Sequence, residues 1–145
     1  MNDRFKFRYF YNNTIYDVFA VDFMNKTAQL VSLDRTETLF KGIDTDKLIQ
    51  CTGLKDKNKR LIYEGDILKI NTHFNHLVSD DFNYKYENEK GYSLFKVIYK
   101  DEFARFEVER IKWVKFETEH TRLGYIPKNH SIIGNIYENA ELLEE

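Results

Sequence analysis

A single cysteine, a single proline and six glycines in 145 residues leave this chain few of the usual devices for stapling or breaking a backbone. One cysteine excludes an internal disulfide, and Cys51, between the strand-like Ile49-Gln50 and Thr52, reads as a small buried side chain. The scarcity of glycine and proline argues against disorder. No apolar run reaches membrane length and no basic-then-apolar leader is seen, so the protein is expected to work in a cytoplasm, with no membrane partner. Surplus charge is scarce too. The 22 basic and 24 acidic residues give a net charge of −2, which excludes a global pull on nucleic acid or anionic lipid and leaves only local patches.

What the chain has in quantity is aromatic surface: twelve Phe, ten Tyr and one Trp. A single domain of this size can bury roughly two-thirds of the surface it exposes when unfolded, so a real core is available. Large aromatics with β-branched neighbours favour pleated surfaces. Phe5, Phe7 and Tyr9 alternate with Lys6 and Arg8, which sets the aromatics on one strand face and the cations on the other, wet one. Asn12-Asn13 ends that strand. The next run places Ile15, Phe19, Val21 and Phe23 on one face with Asp17 as the exception, and Met24-Asn25-Lys26 turns it into Ala28 to Leu33, completing a meander. Thr36 to Phe40 is a weaker strand, and Asp44 is placed to cap one helical turn ahead of Cys51. Leu94 to Lys100, Phe103 to Glu109 and Ile111 to Glu119 alternate as a second meander, with Asp101-Glu102 as its first turn. Between the meanders, Asn71 to Gly91 loses all period and reads as a long insertion.

The chain is organised around Thr52 to Leu68. Gly53, Asp56, Asn58 and Gly65 tolerate turn geometry and flank two apolar runs, Leu61-Ile62-Tyr63 and Ile67-Leu68. The expected structure is strand, tight corner, strand. Asp56 is placed to bond the backbone two residues on, Gly65 to take a positive φ after Glu64, and Asp66 to turn its carboxylate onto nearby N–H groups.

Thr52, Gly53, Leu54, Lys55, Asp56, Lys57 and Asn58, followed by Ile62 to Ile67 and by Ile133-Gly134-Asn135-Ile136-Tyr137-Glu138-Asn139, resemble the signature runs of the YopX family of phage and prophage proteins. Lys59 stands where the family usually has glycine, and Ala140 where proline is common. Since lysine enters the left-handed region at a cost on the order of 1 kcal/mol, Asn58 is the residue expected to take that conformation. The resemblance implies an all-β fold, an unassigned biochemical role, no catalytic residues and no cofactor. It makes Thr52 to Asp56, Asn58, Tyr63 to Asp66, Gly134 and Asn135 structural turn positions.

Glu64 and Asp66 stand two apart, as paired acid and base chemistry on a strand would require, but a glycine between them breaks strand geometry and a turn is the simpler reading. His73 and His76, with Asp80 and Asp81, carry zinc or manganese donor types, yet a three-residue spacing gathers imidazoles only on a helix and no helical stripe is present. His120 and His130 read as surface histidines. Basic and aromatic residues interleave at Arg8, Lys112 and Lys115, which are candidate nucleic-acid contacts. Period-two alternation, however, separates the two residue types, and stacking needs them on the same side.

The sequence therefore predicts an all-β, mainly antiparallel domain over residues 1–145, two meanders curled into a small barrel or pseudo-barrel with a long inserted loop at about 71–92 and at most short helices. Functionally it is a non-enzymatic accessory protein of a phage or prophage, binding an unknown protein partner or itself. A single-stranded nucleic-acid binder is the alternative, and a metal-dependent enzyme using the His73/His76 loop the second.

Overall fold

The computed structural model describes residues 5–80, 83–114 and 130–143, with backbone alone at 72–80, 83, 85–90 and 112–114. The strands are β1 (Phe7–Tyr11), β2 (Thr14–Asp22), β3 (Thr27–Ser32), β4 (Thr38–Gly42), β5 (Ile49–Lys55), β6 (Leu61–Tyr63), β7 (Asp66–Asp80), β8 (Asn83–Lys100), β9 (Arg105–Val114) and β10 (His130–Asn135). Among the described residues the helical elements are short 3-10 turns, and no helix is long and apolar enough to cross a membrane. Two sheets result: β4-β3-β2-β1-β5-β6 and β10-β7-β8-β9, every paired neighbour antiparallel. The all-β expectation holds. The strands form two sheets rather than one closed barrel.

The first meander follows from local chemistry. Asn12 and Asn13 both take positive φ (51° and 61°), as a two-residue turn whose twist matches its flanking strands requires, and Tyr11 faces Thr14 across it. Asp44 caps the 3-10 turn Thr45–Lys47 by accepting from the Asp46 N–H, as the sequence predicts, while its own N–H donates to Tyr9 Oη at 3.1 Å. Tyr9, Tyr16, Ala28, Leu30 and Ile43 then pack as one core on one face of the sheet. Ile15, Ile49, Cys51 and Tyr63 form a second core, with Phe10 and Tyr137 against it. Cys51 is fully buried, as expected.

The face assigned to β2 needs correcting. The register with β3 slips between Val18 and Ala20, so Phe19 is the extra residue of a β-bulge. A bulge inserts one residue and reverses the alternation beyond it. Val18 and Val21 accordingly pack on the Tyr16 core, while Phe19 is 74% exposed and Phe23 lies in the open turn.

The second sheet buries Leu68, Ile70, Phe95, Val97 and Val108, and Ile62 of β6 joins this core from the other sheet. Each such side chain contributes roughly 2 kcal/mol of hydrophobic stabilisation, so this shared cluster couples the two sheets. Phe95 and Val97 share a face as predicted, and Tyr99 meets the Phe106 ring edge-on at 5.1 Å. Two expectations fail here. Residues 71–80 and 83–92 are strand rather than loop: β7 and β8 pair without a slip from Ile67↔Lys96 to Asp80↔Asn83. A hairpin ladder is closed by backbone groups, which satisfy themselves whatever the side-chain period. And Phe103 belongs to a 3-10 turn ending at left-handed Ala104, after which 105–114 run as one strand rather than two. Phe116 and Pro127 lie outside the described residues.

Candidate functional site

The central stretch is a fastening between the sheets. Asp56 sits in the β5–β6 hairpin with its carboxylate buried, Oδ1 accepting from the N–H groups of Asn58 and Arg60 (both 2.9 Å) and Oδ2 from the Ile132 N–H of β10 (3.0 Å). The Arg60 guanidinium donates to Oδ2 at 3.4 Å and to the Ile132 carbonyl at 2.8 Å, and the Lys57 N–H donates to the His130 carbonyl at 3.0 Å. Burial alone would raise the Asp56 pKa, but the three backbone donors and Arg60 outweigh it and hold the carboxyl below its ordinary value. The hairpin bends where Gly53 takes φ +82° and the register shifts between Cys51 and Lys55, with Thr52 Oγ1 donating to the Ile62 carbonyl at 2.8 Å and accepting from the Leu54 N–H at 3.1 Å. Lys59, not Asn58, takes the left-handed conformation at φ 65°. The reason is that Asp56 captures the Asn58 and Arg60 N–H groups together, which leaves the reversal to the residue between them.

The second corner lies ten residues on. Gly65 takes φ +86°, its N–H donating to the Val97 carbonyl and its own carbonyl accepting from Ile136, both at 2.8 Å. Asp66 Oδ2 accepts from the Tyr63 N–H at 2.8 Å. Asp66 is buried with that single backbone donor, so burial prevails and its pKa rises to about 6, against the pull of Tyr63 N–H, Arg8 and Arg60. Glu64 is half-buried, and its carboxyl is raised by burial and by Asp101. Gly65 breaks the strand relation between the two carboxylates, as the turn reading expected. Asn135 Oδ1 accepts from Tyr137 N–H (3.0 Å) and Glu138 N–H (2.8 Å), while Asn139 Oδ1 accepts from the Asn135 N–H (3.1 Å), and a Cβ on Gly134 would come within 2.8 Å of Asn139 Cγ. The terminal run thus closes on the Gly65 corner.

Beside these two corners opens a groove of about 870 Å³. Among the described residues, its basic lining is Lys6, Arg8, Arg35, Lys55, Lys59 and Arg60, and its acidic lining is Asp17 and Asp66. Arg8 is fixed in this lining, Nε donating to Asp17 Oδ1 at 3.1 Å and the guanidinium carbon 4.0 Å from the centroid of the Tyr63 ring. Arg35 meets the other Asp17 oxygen at 3.2 Å, so two cations share one carboxylate. Tyr63 is buried, which with the lesser opposing effect of Arg8 pushes its hydroxyl up to about 12. Exposed Phe19 and Leu33 line the same groove. With the cations, they make a surface that can hold an anion and pack a flat or apolar group at once.

A family model described as YopX protein matches residues 5–144. The chain belongs to that family. No curated protein matches the chain. The turn positions that resemble the YopX runs are seen here as the fastening just described, and three of them, Lys55, Tyr63 and Asp66, line the groove together with the Asp56-bound Arg60. Of the candidate nucleic-acid contacts, Arg8 lines the groove, half-buried, rather than standing on a wet strand face; Lys115 and the Lys112 side chain lie outside the described residues. His73 and His76 belong to β7, paired with Lys90 and Glu87, so the helix their spacing would need is not formed. Their side chains and all of His120 lie outside the described residues, among which no three His, Cys, Asp or Glu are grouped to hold a metal ion. His130 is buried, not on the surface, because β10 is laid against β7 and fastened by Lys57. Sequence reasoning missed Phe19, Arg35 and Arg60 as groove residues. Only Asp17, the polar exception on an otherwise apolar face, signalled that this side of β2 is open.

Proposed function

We propose that this YopX-family chain is a non-enzymatic binding module, an accessory protein of a phage or prophage in the bacterial cytoplasm, that seats an extended anionic partner in the groove beside β1 and β6. The observation that carries the reading is the charge of the lining: among the described residues six cations face two carboxylates, in a molecule whose net charge is −2. One of the two carboxylates is shared between Arg8 and Arg35, and the other is buried at the Gly65 corner. Such a patch focuses its field into a concavity and acts over short range, where salt screens it steeply. The test is binding of inorganic polyphosphate to the whole chain at rising salt. The Lys55→Ala/Lys59→Ala pair should weaken binding about tenfold and flatten the salt slope. Absence of polyphosphate binding at low salt would remove the reading.

Self-association is a second reading, favoured by the exposed Phe40 on the edge strand β4 and by Phe23 and Met24 at the β2–β3 turn. An unpaired edge beside apolar side chains is a template for pairing with another copy. Light scattering over a wide concentration range tests it; a strict monomer throughout would exclude it.

A further inference from the structure

The wall of the groove decides what kind of anion it suits. Phe19 stands two residues from Asp17, the partner of Arg8, and lines the groove together with Arg8, Arg35 and the β5–β6 lysines, while the slip at Val18/Ala20 returns only the residues beyond it, Val21 among them, to the Tyr16 core. Phe19 is 74% exposed there, an arrangement that costs hydrophobic free energy unless something covers the ring. In the same lining, Arg8 is a flat group held still: its Nε is taken by Asp17 and its guanidinium lies over Tyr63, while its side chain stays 27% exposed. Lys55 and Lys59 stand exposed at the rim, and Arg60 reaches the same groove from the Asp56 loop.

We propose that the partner of the groove is single-stranded nucleic acid, a base stacking on Phe19 and the exposed plane of Arg8 while the rim lysines meet its phosphates. Single strands present both a π-face and a phosphate at every nucleotide, and proteins that hold them combine aromatic platforms with a basic track. A duplex hides its base faces in its own stack and so makes no use of Phe19. An acidic peptide would use the cations, but its carboxylates give Phe19 and the Arg8 plane nothing to stack on.

This inference rests on the groove being an anion site, and the experiment separates the two. Fluorescence anisotropy of a short labelled oligothymidylate is measured with the whole chain and compared with the matching duplex, polyglutamate and inorganic polyphosphate. The single strand should bind most tightly. Phe19→Ala, a truncation at an exposed position, should weaken the oligothymidylate about tenfold and leave polyphosphate unchanged, while Phe19→Trp should restore the single strand. Lys55→Ala should weaken both probes alike and lower the salt slope by about 0.7. Equal binding of duplex, a Phe19→Ala variant that loses nothing, or capture of polyphosphate or polyglutamate without oligothymidylate would each overturn the nucleic-acid assignment and leave the anion groove standing. Silence from every polyanion at low salt would overturn both.

Discussion

Asp56 and Asp66 stand ten residues apart in one motif, are about equally buried (5% and 4% exposed), and are driven in opposite directions. Asp56 collects three backbone N–H donors and a guanidinium and is held ionised. Asp66 has one backbone donor, and burial pushes it up to about 6. The difference teaches that burial does not by itself fix a carboxylate's role; the count of donors does. The Asp56 loop spends its charge on fastening β10 to the β5–β6 hairpin, whereas the Asp66 corner keeps a poorly satisfied acid at the floor of a basic groove.

The largest effect expected from breaking this contrast is at Asp56. Asp56→Ala leaves the N–H groups of Asn58, Arg60 and Ile132 without their acceptor and should cost about 4 kcal/mol in urea unfolding, since each stranded buried donor costs about 1–3 kcal/mol. A loss under about 1 kcal/mol would show that β10 is held by other means.

Asp66 should behave in reverse, and its signature is in pH. Its folded pKa lies above the unfolded value of 3.8, so the folded state holds the proton more tightly; stability contributed at low pH is lost as pH rises through about 6. Two pKa units correspond to about 3 kcal/mol. Asp66→Asn keeps an acceptor for the Tyr63 N–H and should abolish most of this decline, becoming the more stable protein at pH 7. Asp56, lowered below its ordinary value, supplies stability of the opposite sign, present above pH 3.8 and lost as pH falls through its folded pKa. Unfolding curves at several pH values for wild type and Asp66→Asn decide the matter: parallel pH profiles would mean that folding does not raise the Asp66 pKa.

Much of this fastening was legible in the residues. Asp44 as a cap, Gly65 at positive φ, Asp66 turned onto a backbone N–H and Cys51 as a buried filler are local consequences of side-chain chemistry, and each is seen. The groove was not legible, because Arg8 meets Tyr63 from a strand far away in sequence and because the β2 face that carries Asp17 and Phe19 lines the groove instead of a core. The β7–β8 hairpin was missed for a related reason. Its ladder is made by backbone groups, whereas the period used to find strands is written in side chains.

The two corners also meet one conformational demand differently, and the smaller effects lie there. Gly65 at φ +86° is crowded as well as left-handed: a Cβ would lie 2.7 Å from Tyr137 Cε2 and 3.3 Å from Ile136 Cγ1. Gly65→Ala should therefore cost about 2 kcal/mol, the left-handed penalty plus the displacement of Tyr137. Lys59 takes φ 65° on an exposed turn with a full side chain. Lys59→Gly removes the penalty of roughly 1 kcal/mol for a side chain in this region but adds the entropy of a freer unfolded chain, so a net gain of about 0.5 kcal/mol is expected in urea unfolding. Lys59 also lines the groove, so the same variant should bind polyphosphate more weakly although it folds more stably. Strain retained at an exposed turn, where glycine would relieve it, is what a binding residue should show; a variant that gains stability with its polyanion affinity unchanged would mean that Lys59 stands at the rim without serving it.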